Sequence, residues 1–378
     1  MYISFITSEY PHPKIGLSGG IGTSIFTLAN LLTKSGIHVN VVVYGMKRDD
    51  SFVDCGINFF LVKNVVVKGL SYFYTVKKVQ KLITLLIEKQ ECDFVEVPDW
   101  TGFSAFLNVD VPVVMRLNGS DSYFCHLEGR KVKFFNRYLE RRAFKRADSI
   151  ISVSEFTGKT TNNIFGFNRK FVIIPNPVDV SKYSNFHFDD ITPGKILYFG
   201  TLIRKKGLFE LPYIFNEVVK NFPNANLDLI GKDSFDIQTG NPSTWDLIRP
   251  LFTPLALERV NYLGPVEYSK IQDYIDKACV CVFPSFAEAM PVSWLEAMAM
   301  SKAVVASDVG WAPEVIDDEI DGFLVNPKDH IKYASRIVSV LNDQNMRRLI
   351  SLNARRKVES TFAEKNALVT YINHYSSL

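Results

Sequence analysis

Two carboxylates, Glu288 and Glu296, stand eight residues apart in a stretch whose surroundings predict a ligand site. The apolar run 279–284 before them predicts a buried parallel strand, and the residues after them predict a helix with Pro291 in its first turn. A strand, loop and helix in this order point free backbone N–H groups and a positive dipole end at an anion. Carboxylates beside a bound phosphate are suited to accept hydrogen bonds from hydroxyl groups, such as those of a sugar and a ribose. We therefore expect both carboxylates to face one crevice.

The same stretch resembles the E-x7-E signature of the retaining GT-B glycosyltransferases of family 4. The resemblance continues, in family order, through the segments 302–310, 313–316 and 321–327, and it extends over essentially the whole chain. It implies transfer of a sugar from a nucleotide diphospho-sugar to an acceptor hydroxyl with retention of configuration. It also implies that Glu288 acts on the transferred sugar and that Glu296 binds the donor. The residues Met290, Pro291 and Val292 are expected as further donor contacts.

A glycine-rich segment, 18–23, follows the first predicted strand and opens the first predicted helix. Its glycines, Gly19, Gly20 and Gly22, allow close backbone approach to a ligand at a helix N-terminus. The dinucleotide pattern G-x-G-x-x-G is not present, because position 25 is isoleucine. The segment resembles the first-domain glycine loop of family 4, which reaches the donor phosphates or the acceptor. A plain strand-to-helix turn is the alternative.

A basic turn, 200–207, follows the first strand of the second predicted domain. The resemblance places Lys206 at the family's lysine position, whereas Thr201 stands where the family usually has arginine. Arg204 and Lys205 are expected to restore the missing positive charge beside the donor diphosphate. Fixed cations that stabilise such a leaving group perform the main electrostatic task in glycosyl transfer. A solvated basic turn is the alternative.

The loop 116–121 follows a strand of the first predicted domain. In the resembled family this loop usually carries a histidine that touches the donor sugar, and Asn118 stands at that position here. Asparagine donates and accepts hydrogen bonds but does not titrate near neutral pH. A role in orienting the sugar is therefore expected for Asn118, and a role as proton shuttle is not. The alternative is that Asn118 and Asp121 only form a turn.

Charge is distributed unevenly along the chain. Through residue 182 there are 23 Lys and Arg against 16 Asp and Glu, a balance of +7, and the remainder has 20 against 24, a balance of −4. The segment 131–146 is basic with interleaved aromatic residues. It predicts either a helix that contacts an anionic membrane surface or an ordinary surface helix with Phe134, Phe135, Leu139 and Phe144 in the core. Nucleic acid is a weaker interpretation, and we expect none as a partner.

Composition excludes several classes of protein. A chain of 378 residues that is 47% hydrophobic and 22% charged predicts a globular protein of two domains. Its five cysteines form no C-x-x-C pair and its histidines are scattered, so we expect reduced thiols, no metal site and no cofactor. Met1 leads directly into an apolar strand, which predicts no signal peptide, and no apolar run approaches the ~20 residues of a membrane helix. A cytoplasmic protein, at the inner face of the plasma membrane if it binds lipid, is expected.

Strand-like and helix-like segments alternate in both halves of the chain, which predicts α/β folding with parallel, doubly wound sheets. Strands are predicted at 2–7, 39–44, 93–97, 111–117, 149–153, 171–174, 195–199, 226–230, 260–263, 278–283, 303–307 and 322–325. Helices are predicted at 23–34, 71–90, 131–146, 155–164 and 362–375. The polar stretch 175–193 is the predicted linker.

The resemblance implies a GT-B architecture, in which two Rossmann-like domains face a cleft. An acceptor-side domain is expected at 1–182, a nucleotide-sugar domain at 194–361, and a terminal helix within 362–378 that crosses back to the first domain. The expected partners are a nucleotide-sugar donor and a sugar or lipid-linked acceptor, in cell-surface polysaccharide or glycolipid assembly. Two alternatives stay open: a sugar-nucleotide epimerase of the same fold, and a catalytically silent subunit that only binds the sugar nucleotide.

Overall fold

The computed structural model of the chain describes residues 1–16, 18–183 and 191–378. These residues divide into two compact units. Unit 1 consists of Met1–Pro177 together with Glu364–Leu378, and unit 2 consists of Val178–Ala363. Of the predicted linker, 175–193, the residues 184–190 lie outside the described part of the chain.

Unit 1 is built on an eight-stranded sheet with the order β3-β4-β2-β1-β5-β6-β7-β8. Its strands are β1 (Tyr2–Thr7), β2 (His38–Met46), β3 (Asp50–Asp54), β4 (Ile57–Lys63), β5 (Phe94–Pro98), β6 (Val113–Leu117), β7 (Ser149–Ser152) and β8 (Val172–Ile173). All neighbouring strands are parallel except the edge pair β3 and β4. The chain adds strands first on one side of β1 and then on the other, so the order reverses between β1 and β5.

Helices cover both faces of this sheet. They are α1 (Gly20–Lys34), α2 (Ser71–Glu88), α3 (Asp121–Leu127), α4 (Phe134–Arg146) and α5 (Glu155–Phe165). Ile25, Leu28 and Leu32 recur at helical spacing and bury one side of α1 against alternate residues of β1, such as Phe5. The opposite face of β1, at Ile6, packs in a second cluster with the buried side of α2. Because successive side chains of β1 point to opposite faces, the strand contributes residues to the hydrophobic clusters on both sides of the sheet.

Unit 2 contains a six-stranded, wholly parallel sheet with the order β11-β10-β9-β12-β13-β14. Its strands are β9 (Lys195–Phe199), β10 (Asn226–Ile230), β11 (Val260–Gly264), β12 (Val280–Phe283), β13 (Ala303–Ser307) and β14 (Phe323–Val325). Its helices are α6 (Leu211–Asn221), α7 (Thr244–Ile248), α8 (Pro254–Leu257), α9 (Tyr268–Lys277), α10 (Val292–Ala299), α11 (His330–Asn342) and α12 (Gln344–Lys357). Here the order reverses between β9 and β12.

The last helix, α13 (Glu364–Tyr375), packs within unit 1. Its residues Ala367, Tyr371 and Tyr375 join the core cluster of β1 and α1. The Tyr375 hydroxyl donates a hydrogen bond to Glu96 on β5, which is buried. The C-terminal residues therefore complete the hydrophobic core of the unit that contains the N-terminus.

The predicted α/β class with two doubly wound sheets is confirmed by the two sheet topologies. The hairpin of β3 and β4 was absent from the prediction. Its outer strand, Asp50–Asp54, is short, polar and largely exposed, so it carries little of the apolar alternation on which strand prediction depends. Its antiparallel pairing with β4 makes β3 the edge strand of the sheet.

Candidate functional site

The reversal of strand order in unit 2 brings two predicted loops to one place. The loop after β9 contains the basic turn that ends at Gly207, and the loop after β12 contains Glu288. Ligands of open α/β sheets bind beyond the carboxyl ends of the strands at such a reversal. The position of both loops therefore makes this edge of the sheet the candidate ligand site of unit 2.

Lys206 and Glu288 meet at this edge. The Lys206 ammonium lies 2.9 Å from Oε1 of Glu288, and both side chains are largely buried. The Ser285 hydroxyl donates to the same carboxylate at 3.3 Å. The structure thus brings together two charged residues that the sequence predicted to act on different parts of one ligand. A diphosphate bound here would compete with Glu288 for the charge of Lys206.

The two loops also touch through their backbones. The carbonyl oxygen of Lys205 accepts hydrogen bonds from the N–H groups of Phe286, at 2.8 Å, and Ala287, at 3.3 Å. Gly207 has φ +73°, and a Cβ atom there would lie 1.8 Å from the carbonyl oxygen of Pro284. Only glycine permits this approach. The position of Lys206 therefore depends on the fit between the two loops.

Arg204 has a carboxylate partner within unit 2. Its guanidinium makes two hydrogen bonds of 2.8 Å to the carboxylate of Asp236 and stacks 3.7 Å above the centre of the Phe209 ring. The hydrogen bonds from Arg204 lower the pKa of Asp236 to about 2. A paired guanidinium of this kind fixes the two loops that carry it and Asp236. The prediction that Arg204 restores charge beside a diphosphate stays untested.

Pro291 does not lie within the helix that follows the Glu288 loop. Pro291 precedes the first residue of α10, Val292, so its placement in the first turn was wrong. Met290 and Pro291 are buried, and Glu296 lies one turn into α10 with 7% of its surface exposed. The ring of Trp294 stacks on Phe283 of β12, which anchors the helix to the sheet. Glu296 is thereby carried on a rigid element.

In unit 1, the glycine segment already binds an anion from its own chain. The backbone N–H groups of Gly19 and Gly22 donate to the two carboxylate oxygens of Glu9, at 3.1 and 2.9 Å. A Cβ atom on Gly22 would lie 2.2 Å from the Ser18 hydroxyl, whereas one on Gly20 would meet nothing within 4 Å. The close backbone approach was predicted, but the group that approaches in this structure is Glu9. A donor phosphate at these N–H groups would have to displace that carboxylate.

Asn118 lies beside a buried acid that the prediction did not include. Its N–H donates to Oδ1 of Asp99 at 3.0 Å. Within the described part of the chain, Oδ2 of Asp99 and the side-chain amide nitrogen of Asn118 are buried without a hydrogen-bond partner. Burial raises the pKa of Asp99 from 3.8 to about 7, against the effect of the Asn118 N–H. Asp99 directly follows β5, and this position after a buried strand was the available signal.

Because the pKa of Asp99 is raised in the folded protein, we expect the stability of the protein to depend on pH. Its pKa is near 3.8 in the unfolded chain and about 7 in the folded protein, so the folded state binds more protons between these values. Stability must therefore fall as pH rises through this window. We expect Asp99→Asn to remove this loss, so that the advantage of the variant over wild type grows between pH 5 and pH 8, by on the order of 2 kcal/mol.

Thermal unfolding of both proteins across this pH range measures the effect of Asp99. Asp110→Asn, at an exposed aspartate of the same unit, is the matched control. A constant difference between Asp99→Asn and wild type at all pH values would show that Asp99 is ionised in the folded protein.

Two family models match successive parts of the chain. The model of the glycosyl transferases group 1 matches residues 181–357, and the model of Glycosyltransferase Family 4 matches residues 18–182. The chain belongs to the GT-B glycosyltransferases. This family assignment accounts for the paired sheets and for the order of the glycine, lysine and carboxylate segments along the chain.

This glycosyltransferase is similar to other members, to some of them over its whole length and to others over part of it. An uncharacterized glycosyltransferase of Methanocaldococcus jannaschii is 25% identical over 99% of this chain and 98% of its own. The capsular polysaccharide biosynthesis glycosyltransferase CapM of Staphylococcus aureus is 26% identical over 62% of this chain and 63% of its own. The solved structure of Anabaena HepE in complex with UDP-glucose superposes with a TM-score of 0.76 at 20% identity and covers both chains completely. This last similarity shows the fold.

Proposed function

We propose that this glycosyltransferase transfers a sugar from a nucleotide diphospho-sugar to an acceptor hydroxyl, with retention of configuration and without a resident metal ion or cofactor. The observation that carries the proposal is the Lys206–Glu288 pair at the strand-order reversal of unit 2, with Glu296 on the next helix. One cation suits a diphosphate, and two carboxylates suit the hydroxyls of a sugar and a ribose. The UDP-glucose bound in the HepE structure and the family match support this choice of ligand.

The proposed reaction requires mainly that the donor and acceptor are aligned and that the negative charge on the departing diphosphate is stabilised. The bond between the anomeric carbon and the phosphate oxygen breaks, and the departing oxygen takes the proton of the acceptor hydroxyl as the new glycosidic bond forms on the same face. Lys206 stabilises the negative charge that develops on the diphosphate, in a site held by the two docked loops. Glu288 orients the transferred sugar, and Glu296 binds the ribose. Alignment of donor and acceptor supplies the remaining rate enhancement.

For the acceptor we propose only a broad chemical class. CapM acts in capsular polysaccharide biosynthesis, which supports a sugar or lipid-linked acceptor in cell-surface polysaccharide or glycolipid assembly. The basic composition of residues 1–182 supports a location in the cytoplasm at the inner face of the plasma membrane, where a lipid-linked acceptor is found. Unit 1 then binds the acceptor.

Nucleoside diphosphates test the proposed donor class directly. We expect one or more of them to raise the midpoint of thermal unfolding, and the matching diphospho-sugar to be consumed when an acceptor is added. Interconversion of the sugar nucleotide without any acceptor would identify an epimerase instead. Tight nucleotide binding with no turnover of any donor would identify a silent binding subunit.

Loss of Glu296 is expected to weaken donor binding. Glu296→Ala removes a buried carboxylate from α10 and leaves the ribose hydroxyls without their partner, which costs roughly 1–3 kcal/mol. Calorimetric titration with the free nucleoside diphosphate measures the change. Glu258→Ala, at an exposed glutamate of the same unit, is the control and should bind as wild type does. Unchanged affinity in Glu296→Ala would contradict the assignment.

Glu288 is expected to act in turnover more than in binding. Glu288→Gln keeps the size of the side chain but removes its charge, so turnover should fall by at least about tenfold, or 1.4 kcal/mol. Affinity for the free nucleoside diphosphate should change much less, because that ligand lacks the transferred sugar. Turnover and calorimetry on the same preparation give both values. Equal losses in the two measurements would mean that the roles of Glu288 and Glu296 have been exchanged.

A further inference from the structure

Unit 1 exposes large apolar side chains on two segments. Phe134 and Val66 are each 86% exposed. The other exposed apolar residues are Val67, Leu70 and Tyr74, before and at the start of α2, and Phe135 and Tyr138, in the first turns of α4. We call these seven residues the α2–α4 surface. Leu139 and Phe144 of the same helix are buried, so the core of unit 1 is filled without Phe134 and Phe135.

The two segments contact each other, and hydrogen bonds and close backbone packing hold them in place. The ring of Tyr72, in the first turn of α2, lies 6.3 Å from that of Phe135 on α4. The Tyr72 hydroxyl donates to the carbonyl oxygens of Gly102 and Phe103, each at 3.1 Å. Gly102 packs so closely on α4 that a Cβ atom there would lie 2.4 Å from the backbone of Leu139. The first turn of α2 and the first turns of α4 therefore lie side by side.

The two segments that carry this surface have an excess of basic residues. Residues 55–87 contain five lysines and no acidic residue, and residues 129–147 contain eight basic residues and one acid, Glu140. Glu140 is buried, and its carboxylate accepts hydrogen bonds from the N–H groups of Asp121 and Ser122 at the start of α3. Two of these cations are paired with carboxylates of neighbouring residues, Lys78 with Asp49 and Arg130 with Glu128. The remaining basic residues leave an excess of positive charge, which complements an anionic partner.

We propose that the α2–α4 surface docks on an anionic lipid membrane. Phe134 and Val66 would enter the boundary between headgroups and acyl chains, while Lys68, Lys131 and Lys133 approach the lipid phosphates. Aliphatic side chains such as Val66 cannot stack on bases, which favours lipid over nucleic acid. No helix in the described part of the chain is both long and apolar enough to span a bilayer. The inference deepens the membrane location in the proposed function and rests on it only for the lipid-linked acceptor.

Vesicle sedimentation with the full chain tests the inference without donor or acceptor. We expect binding to phosphatidylcholine vesicles that contain phosphatidylglycerol, weakening several-fold at high salt, and little binding to phosphatidylcholine alone. Phe134→Ser should weaken binding about tenfold, because it removes the most exposed apolar anchor. The matched control is Ile331→Ser on α11 of unit 2, where the side chain is 74% exposed, and it should change binding less than about twofold.

A fluorescent reporter distinguishes insertion from simple charge attraction. In Phe134→Trp the new indole should shift its emission to the blue on addition of anionic vesicles, whereas in Ile331→Trp it should not. Absence of binding at low salt, binding that ignores lipid charge, equal losses in Phe134→Ser and Ile331→Ser, or stronger binding to nucleic acid would each overturn the inference. Nucleoside diphosphate binding by the same variants reports separately on the donor site, so the two proposals fail independently.

Discussion

Gly207→Ala is expected to separate the loops after β9 and β12 in unit 2 and to abolish sugar transfer. The added Cβ would lie 1.8 Å from the carbonyl oxygen of Pro284, a backbone atom that cannot move without its loop. Separation of the loops breaks the hydrogen bonds to Lys205 and carries Lys206 away from Glu288. We expect a loss of at least about 3 kcal/mol in stability, the class of effect produced by overpacking at a strained backbone position.

A control at a second glycine of unit 2 distinguishes the cost of the steric clash from the cost of the left-handed backbone conformation. Gly240 has nearly the same backbone angle, φ +77°, but a Cβ atom there would meet nothing within 4 Å. Gly240→Ala should therefore cost only the left-handed conformation, about 1–2 kcal/mol, and should keep nucleotide binding. Thermal unfolding and nucleotide calorimetry compare the two variants. Equal losses would mean that contact with Pro284 does not require glycine at position 207.

Loss of Glu96 is expected to destabilise unit 1 strongly. Arg116 Nε lies 2.6 Å from Glu96 Oε1 with both residues fully buried, and the Arg116 guanidinium lies 4.9 Å from the centre of the Tyr371 ring. Glu96→Ala leaves the buried Arg116 charge without its partner and removes the acceptor of the Tyr375 hydroxyl. Breaking one side of such a pair costs about 3–5 kcal/mol.

Replacement of both charges provides the internal comparison. The double variant Glu96→Leu with Arg116→Met should recover much of the lost stability, because apolar residues of similar volume often replace a buried ion pair at little cost. Lys159→Ala, which removes an exposed pair with Glu155, should change stability by less than about 1 kcal/mol. Thermal unfolding ranks the three variants. A Glu96→Ala protein as stable as Lys159→Ala would show that water reaches Arg116 in the folded protein.

Much of the fold and part of the site could be predicted from local pattern. The strands β1, β9, β10 and β13 begin and end at the predicted residues, because short apolar runs between turn residues carry that information themselves. The order of the glycine, lysine and carboxylate segments predicted the family, which the family models confirm. The roles predicted for Glu288, Glu296, Lys206 and Asn118 stay predictions.

The partners and the burial of individual side chains could not be predicted from the sequence, because they depend on contacts between residues that are not neighbours along the chain. Nothing near Glu9 predicts that its carboxylate binds the N–H groups of the glycine segment. The same holds for Asp236, which takes the guanidinium of Arg204. The alternatives for the aromatic residues of α4 could be separated only by the three-dimensional contacts, which bury Phe144 and leave Phe134 in solvent.

The sequence by itself therefore determined the α/β class, the two sheets and the chemical types available at their edges. Periodicity and turn residues act locally, and they suffice for these features. The tertiary structure alone decided which charged groups meet: Lys206 with Glu288, Arg204 with Asp236, and Arg116 with Glu96. It also decided that the Asp99 side chain is buried and that the Phe134 side chain is exposed to solvent. The physical reason is that solvation and partner geometry are properties of packed neighbours, which the chain acquires only when distant strands and loops come together.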